Sequence, residues 1–247
     1  MRTYKIFIII LLIFQITGCA THQNKDPLEN FNRAVYKFND VADNAIIKPV
    51  SKGYKNIAPK FVVKGINNFF NNIRDVITII NELLQGKVEY AANDTGRVLV
   101  NSTIGLLGFV DVHSISGGER RKEDFGQTLG SWGFGEGCYL VLPVLGPSTA
   151  RDAIGSLGNY MGGDAWYNVT VRNDTQFFSD FDYYASKGVE GVDFRAKNFD
   201  DINNLEENSI DFYASVKSLY LQDRRKKILN ATGSTQTQND SDWEEIE

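Results

Sequence analysis

The residue whose setting points most directly to chemistry is Cys19. It ends the run Ile16-Thr17-Gly18-Cys19, which follows an unbroken apolar stretch at residues 6–14 and two cations near the start of the chain. This arrangement is typical of a signal peptide that ends in a lipobox, and the apolar stretch is too short to span a membrane as a helix. We therefore expect cleavage before Cys19 and acylation of that cysteine. Because each buried methylene contributes roughly 0.8 kcal/mol, three acyl chains would anchor the protein permanently in a membrane.

Other side chains offer little support for catalysis. The two histidines, His22 and His113, lie far apart and favour neither a metal site nor a catalytic triad. The letters of Asp94-Thr95-Gly96 match an aspartic protease loop, but a helical pattern surrounds them. Neither a local spacing rule nor a following histidine supports the remaining candidates, which are Asp124, Glu136, Asp152 and Cys138. We expect no catalytic residue, no bound metal and no cofactor.

The composition limits the class of protein. The chain has 247 residues with a net charge of −5, and no stripe of basic residues suggests nucleic-acid binding. The hydrophobic content of 42% is enough for a sizeable core. Cys138 is the only cysteine besides Cys19, so acylation of Cys19 would leave no internal disulfide.

The elements that must position these residues are predicted to be helices. Apolar residues recur at helical spacing in several runs, at 28–42, 61–73, 76–84, 88–103, 151–160, 175–188 and 200–228. Asp26 and Pro27 are predicted to open the first helix as N-cap and first helical residue, and Gly86 to end the third run. Strand signals are limited to one short piece at 138–142. The fold class is therefore predicted to be all-α.

The helices are amphipathic, but none is a candidate for crossing a bilayer. No window after Cys19 reaches the roughly 18 to 20 apolar residues that a spanning helix needs. Such helices either lie along one membrane leaflet or pack against one another as a soluble core. The predicted lipid anchor favours the leaflet.

The chain is predicted to form one domain with flexible ends. We expect a signal peptide at 1–18, a lipidated linker at 19–25, a single helical domain at 26–229 and a disordered acidic tail at 230–247. Well over half of the 22 glycines lie between Gly105 and Gly163, which predicts an irregular segment with tight turns.

Several short strings resemble the MlaA (VacJ) family of lipoproteins. The first is DPLENFNR at residues 26–33, directly after the anchor. Further strings follow in the same order, namely GINNF at 65–69, LQG at 84–86, NSTIGLLGFVD at 101–111, DFGQTLG at 124–130 and GPSTARD at 146–152. The resemblance covers residues 26–155, more than half of the mature chain, and thins out beyond that.

The resemblance implies transport without covalent chemistry. Proteins of this family form a ring of helices in the inner leaflet of the outer membrane, with a polar channel through the ring. They associate with trimeric porins and hand phospholipids to a soluble periplasmic carrier, in the direction of the inner membrane. The residue after the cysteine is Ala20 and not aspartate. This resembles the sorting pattern of lipoproteins that are released to the outer membrane.

Five residues are predicted to serve the channel. Arg97, Asn101 and Asp111 are candidates for its polar lining, with capping or core hydrogen bonds as the alternative. Gly105 and Gly108 are predicted to let a loop at the channel mouth shift as lipid passes. Two other classes of protein stay open: a structural lipoprotein that only binds partners, and a periplasmic hydrolase.

Overall fold

Helices dominate the computed structural model, which describes residues 26–57, 59–158, 167–168, 171 and 179–231. In chain order the elements are α1 (Glu29–Ala42), a π-helical segment (Asp43–Ile47), α2 (Lys48–Ile57), α3 (Lys60–Leu84), α4 (Val88–Thr103), α5 (Val112–Ile115), α6 (Phe125–Ser131), β1 (Tyr139–Leu142), β2 (Gly146–Thr149), α7 (Ala150–Gly158), α8 (Asp180–Lys197), α9 (Phe199–Asn208) and α10 (Phe212–Ala231). The signal peptide, Cys19, the linker and nearly all of the predicted tail lie outside the described residues.

The helical prediction is confirmed, with differences at element ends and one break: the predicted run 200–228 is divided at residues 209–211 into α9 and α10. Helix α4 has the predicted bounds, and Gly86 follows α3 with a φ of 76°, a left-handed conformation that favours glycine. The two runs at 61–73 and 76–84 form the single helix α3, because nothing between them interrupts the backbone hydrogen bonds. The prediction of Asp26 as an N-cap is wrong, since α1 begins at Glu29 with Leu28 at the N-cap position.

A small hairpin is the one strand element among the described residues. Strands β1 and β2 are antiparallel, with Tyr139 opposite Thr149 and Leu142 opposite Gly146. The sequence predicted only the first strand, because Pro147 within GPST is a poor strand signal. Pro147 is tolerated in this two-stranded sheet, since β2 has only one strand neighbour to bond.

The packing of the described elements forms a closed circuit. Helix α1 continues through the π-helical segment into α2, α2 packs on α8, and α8 packs on α3. Helix α3 packs on α6, α6 on α10, α10 on β2, and β1 returns to α1. Helices α4 and α5 attach to this circuit through α3.

The apolar core is small. Tyr139, Val141 and Tyr213 form a buried cluster in the described structure, with partly buried side chains of α1 and α10 packed against them. The rings of Tyr139 and Tyr213 meet edge to face at a centroid distance of 6.0 Å. This cluster fastens the hairpin between α1 and α10. None of the described helices is long and apolar enough to cross a membrane.

Candidate functional site

Polar side chains occupy the interior of the described structure, and large apolar ones lie outside. The largest fully buried side chains include Arg97, Glu82, Asn32, Asn81 and Asp94. Exposed apolar side chains occur on most of the helices, for example Phe31, Ile57, Phe61, Leu99, Phe181 and Leu219. This distribution is the reverse of the usual one for a soluble domain, in which charged residues are seldom fully buried.

The three predicted polar residues meet in one group, the Arg97 cluster, formed by Asp75, Arg97, Asn101, Asp111 and Ser114. The first three of these are buried. The Arg97 side chain is only 1% exposed, and its Nε lies 3.3 Å from Asp75 Oδ2. Arg97 Nη2 also donates to Asp111 Oδ2 and, at 2.8 Å, to Ser114 Oγ. Asn101 Nδ2 donates to Asp111 Oδ1 at 2.9 Å. The cluster ties α3, α4 and α5 together.

The two aspartates of this cluster have opposite pKa shifts. Burial raises the pKa of Asp75, although Arg120 and Arg97 oppose the shift. For Asp111, hydrogen bonds from Ser114 and Asn101 and the charge of Arg97 outweigh burial and lower the pKa. Arginine partners therefore oppose the effect of burial at Asp75, whereas hydrogen bonds are the main stabilisation of the Asp111 carboxylate.

Gly105 and Gly108 lie in a tight turn beside the cluster. A Cβ on Gly105 would lie 2.2 Å from the carbonyl oxygen of Val110, which is backbone and cannot swing away. A Cβ on Gly108 would lie 2.6 Å from the Cβ of Asn72, and Gly108 has a φ of 92°. Both positions need glycine, because other atoms of the protein approach them too closely for a side chain.

The same turn carries local strain and an apolar tip. Leu106 and Leu107 have φ values of 53° and 58°, which is unusual for side chains of this size. Together with Ile104 these leucines are 69–71% exposed. The turn therefore holds apolar side chains away from the protein at a cost in backbone energy. The roles of Gly105, Gly108, Arg97, Asn101 and Asp111 at a channel stay predictions.

A second buried acid on α3 has an unusual environment. Glu82 accepts a hydrogen bond from Arg121 Nε at 3.2 Å, and Arg121 Nη2 donates to Asp94 at 3.0 Å. Burial raises the pKa of Glu82 to about 7, and the nearby charge of Asp94 adds to the rise. Among the described residues, Arg121 is the cation that bonds both carboxylates, so two negative charges share one positive charge.

The sequence analysis missed a further group, the Arg224 cluster, formed by Asp124, Asp152, Tyr220 and Arg224. Arg224 Nη1 donates to Asp124 Oδ2 at 2.6 Å, and its Nε donates to Asp152 Oδ2 at 3.0 Å. Tyr220 donates its hydroxyl to Asp152 Oδ2 at 2.7 Å. Arg224 is 72 and 100 residues from its partners, so no local spacing reveals the cluster. The available hint is that both acids lie in the strings DFGQTLG and GPSTARD.

Glycines allow the helices of this cluster to approach each other. A Cβ on Gly155 would lie 2.4 Å from the backbone nitrogen of Gly126, so α6 and α7 touch at their backbones. Arginine and hydrogen bonds overcome the effect of burial and lower the pKa of Asp124 to about 2. The pKa of Asp152 is lowered in the same way. Arg224 therefore contacts two ionised carboxylates, and Arg151 lies 3.2 Å from one of them, Asp152.

The Arg224 cluster faces a cavity of about 400 Å³. The wall combines charged and hydroxyl groups of α6, α7, α8 and α10 with a few apolar side chains of the hairpin. Its lining includes Asp124, Asp152, Ser156, Lys187, Tyr220 and Arg224. Elements that are distant in sequence therefore meet around this space.

The opening string DPLENFNR fixes α1 to the hairpin and to α10. Asn32 Nδ2 donates to the carbonyl of Tyr139 at 2.9 Å, and Asn32 Oδ1 accepts from the Val141 nitrogen at 2.9 Å. Two helical turns later, Asn39 pairs in the same way with Leu142 and Val144. The two asparagines thus supply the hydrogen bonds that a third strand would make.

The candidates for catalysis lie in structural contacts. Asp124 and Asp152 bind Arg224, and Glu136 binds Arg225 at 2.9 Å. Cys138 is buried. Within the described part of the chain, no group of three His, Cys, Asp or Glu side chains is arranged to hold a metal ion.

Comparisons with known proteins agree with this architecture. The MlaA lipoprotein family matches residues 24–227. The chain is 32% identical over 240 residues to the intermembrane phospholipid transport system lipoprotein MlaA of Haemophilus influenzae, covering 92% of each chain. It is 31% identical over 219 residues to the protein of the same name from Escherichia coli K12, covering 84% of this chain and 82% of that one.

A solved structure is also similar. It is described as the structural basis for maintenance of bacterial outer membrane lipid asymmetry. The TM-score is 0.69 at 29% sequence identity, over 83% of this chain and all of the other. The order of motifs, the helical fold with its hairpin and these matches lead to one conclusion: the chain belongs to the MlaA lipoprotein family.

Proposed function

We propose that this protein is an outer-membrane lipoprotein that transports phospholipids between membranes. Anchored through Cys19 in the inner leaflet, it removes phospholipids that have reached the outer leaflet and so maintains lipid asymmetry. The names of its relatives and the description of the similar structure support this function.

The observation that carries the proposal is the reversed distribution of polar and apolar side chains. A charged headgroup cannot cross hydrocarbon cheaply, because burying an unpaired charge costs many kcal/mol. A protein that lowers this barrier needs a polar interior and an apolar exterior. The buried Arg97 and Arg224 clusters and the exposed apolar side chains of α1, α3 and α8 have this arrangement.

The closed packing circuit supports a path through the protein. Because the described elements return from β1 to α1, they can surround a passage instead of a solid core. The cavity at the Arg224 cluster is the proposed section of that passage. Ser156, Lys187 and Tyr220 come to it from three different helices, so a headgroup there would be hydrogen-bonded from several sides.

Two partners complete the proposal. Phospholipid leaving the passage would expose its acyl chains to water, and apolar burial is worth about 25 cal/mol per Å². A soluble periplasmic carrier that shields those chains is therefore required. By family resemblance, a porin trimer holds the lipoprotein in place. No step of this process makes or breaks a covalent bond, so we assign no enzymatic activity.

The phospholipid content of the outer leaflet tests the function. An enzyme that modifies only surface-exposed phospholipids would be applied to cells without the protein, and to cells that express the wild type or Cys19→Ala. We expect the content to rise without the protein and with Cys19→Ala. Unchanged content in both strains would favour a lipoprotein that only binds partners.

A blocking substitution tests the passage itself. Ser156 lines the cavity, and its hydroxyl donates to the carbonyl four residues earlier at 2.9 Å. Ser156→Trp would fill the cavity from an exposed position. Ser116→Trp is the matched control, since Ser116 is also exposed and donates to the carbonyl four residues earlier at 3.1 Å, away from the cavity. Outer-leaflet phospholipid should rise only with Ser156→Trp, and equal behaviour of the two variants would contradict a passage at this cavity.

A further inference from the structure

A second cavity, separate from the Arg224 cluster, lies between the start of α1, the segment before β1, and α10. We call it the α1–α10 cleft, and its volume is about 550 Å³. Six charged side chains line it, three acidic and three basic: Asp26, Glu29, Glu136, Arg33, Lys217 and Arg225. Two tyrosines, Tyr139 and Tyr213, contribute aromatic surface.

The charges of the cleft are balanced in pairs. Lys217 Nζ lies 2.7 Å from Asp26 Oδ2, and Arg225 Nη2 lies 2.9 Å from Glu136 Oε1. Arg33 Nε lies 2.7 Å from Glu29 Oε1, and its Nη1 also donates to Oδ1 of Asp211, outside the cleft, at 3.1 Å. A ligand with a net charge would be attracted by one half of this set and repelled by the other. A zwitterion meets a partner of opposite charge for each of its ends.

The aromatic rings hold two of the cations in place. The Arg33 guanidinium lies 4.4 Å from the centroid of the Tyr213 ring, and Lys217 Nζ lies 5.4 Å from that of Tyr139. Such contacts are within the range of cation–π attraction. Arg33 and Lys217 therefore lose less side-chain freedom on binding an anionic group than free surface cations would.

One polar atom at the cleft is left without a partner. Tyr139 is 3% exposed, and its buried hydroxyl has no hydrogen-bond partner within the part of the chain that the structure describes. A buried donor without a partner costs about 1–3 kcal/mol, so such groups usually serve a ligand or an ordered water. Burial raises the pKa of Tyr139, which keeps the hydroxyl protonated as a donor.

The cleft also lies near the predicted membrane anchor. Asp26 on its wall is seven residues after Cys19. Seven residues span at most about 25 Å when fully extended. The wall of the cleft at Asp26 therefore lies within about 25 Å of the predicted anchor.

We propose that the α1–α10 cleft binds the phosphoethanolamine headgroup of a phospholipid. The phosphate accepts a hydrogen bond from the Tyr139 hydroxyl and faces Arg33 and Lys217, and the ammonium group faces Glu136. The inference rests on the proposed transport function and adds to it a substrate class, zwitterionic phospholipids, and a second binding position.

Calorimetric titration of the purified full chain in detergent tests the inference. The ligands are dihexanoylphosphatidylethanolamine, dihexanoylphosphatidylglycerol, phosphoethanolamine and inorganic phosphate. We expect the ethanolamine lipid to bind more tightly than the glycerol lipid. Tyr139→Phe keeps the ring and removes only the hydroxyl, and it should weaken binding of the ethanolamine lipid about tenfold, as expected for a hydrogen bond to a charged group.

Tyr36→Phe is the matched control, because Tyr36 packs against Tyr213 at 5.9 Å but does not line the cleft. The affinity of the Tyr36→Phe variant for both lipids should equal that of the wild type. Glu136→Gln should reduce the preference for the ethanolamine lipid over the glycerol lipid, since it removes the partner of the ammonium group and frees Arg225.

Several outcomes would overturn the inference. Equal affinity of the wild type for the two lipids, or unchanged affinity in Tyr139→Phe, would rule out the cleft as a zwitterion site. Phosphoethanolamine or phosphate binding as tightly as the lipid would point to a soluble ligand instead. These results leave the transport function standing, because that function is judged by outer-leaflet composition in cells without the protein.

Discussion

The Arg97 cluster and the Arg224 cluster each hold an arginine between two aspartates, but they lie in different surroundings. Arg97 is enclosed where α3, α4 and α5 meet, and its side chain is 1% exposed. Arg224 faces a cavity, and its partner Asp124 keeps 41% of its side chain exposed. The same arrangement of charges therefore joins three helices at the Arg97 cluster, which we call the clamp. At the Arg224 cluster it lines a cavity, and we call that cluster the wall.

The two regions differ in whether water can reach the charged groups. A buried ion pair that loses one partner leaves a charge that water cannot reach. Where a cavity admits water, the remaining charge can be solvated. We expect the two regions to respond differently to the same substitution.

The largest effect should come from removing the arginines. Arg97→Met leaves the buried Asp75 with Arg120 as its remaining ionic partner, removes the ion pair of Asp111, and should lower the free energy of unfolding by about 3–5 kcal/mol. Arg224→Met should cost about 1–3 kcal/mol, because water in the cavity reaches Asp124. Denaturant unfolding followed by circular dichroism measures both. Lys55→Met, which breaks an exposed pair with Asp200, should cost less than 1 kcal/mol. Equal losses for the two arginines would remove the distinction between clamp and wall.

The next effect concerns the turn beside the Arg97 cluster. Gly105→Ala places a Cβ against the Val110 carbonyl and should cost about 1–3 kcal/mol in the free energy of unfolding. Gly53→Ala in α2 is the control, since nothing lies within 4 Å of its added Cβ. It should be neutral or slightly stabilising, because alanine favours a helix. If Gly105→Ala unfolds like the wild type but impairs lipid removal, the turn is a moving part, as the sequence predicted.

The group of Glu82, Arg121 and Asp94, whose two acids lie on the same helices α3 and α4 as the clamp, should differ from the wall in pH dependence. Because the pKa of Glu82 is raised to about 7 in the folded protein, its contribution to stability is fully present below its unfolded pKa of about 4.3. That contribution is lost as pH rises through the folded value. Wild-type stability should fall by roughly 1–2 kcal/mol between pH 4.5 and 7.5, and Glu82→Gln should show a smaller fall. A larger fall in the variant would reverse the assigned direction.

The smallest effect concerns Asp124 at the cavity wall. Its contribution to stability depends on pH in the direction opposite to that of Glu82. Asp124 has a folded pKa of about 2, so its contribution to stability is present above its unfolded pKa of about 3.9 and is lost as pH falls towards 2. Its exposure to solvent limits the contribution to about 1 kcal/mol or less. Acid unfolding of Asp124→Asn should show a shallower loss over that range than the wild type, and an unchanged profile would assign the loss to other acids.

Sequence reasoning succeeded where the signal is local. The bounds of α4 and the end of α3 before Gly86 follow from apolar spacing and glycine chemistry over a few residues. The grouping of Arg97 and Asn101 is also local, since the two lie one helical turn apart on α4. The resemblance to a family added the remaining expectations about function.

It failed where contacts join distant parts of the chain. Arg224 lies in a run of basic residues at 224–227, yet its side chain turns inward to acids in α7 and before α6. Asp26 looked like an N-cap, yet its carboxylate accepts from the Tyr213 hydroxyl at 2.6 Å across 187 residues. Only the fold brings these groups together, so neither composition nor spacing could have revealed them.

The asparagines of α1 have a consequence for the order of folding. Asn32 and Asn39 bond to a hairpin more than 100 residues later in the chain, so α1 cannot complete these contacts until β1 exists. Contacts of such high sequence separation form late, because the entropy of closing a long loop opposes them. Once formed, they occupy the open edge of β1, the surface that most readily recruits a strand from another molecule. Helix α1, which is synthesised before the hairpin, is thus among the last elements to reach its final contacts. Those contacts cover the edge of β1 and so protect the protein from self-association.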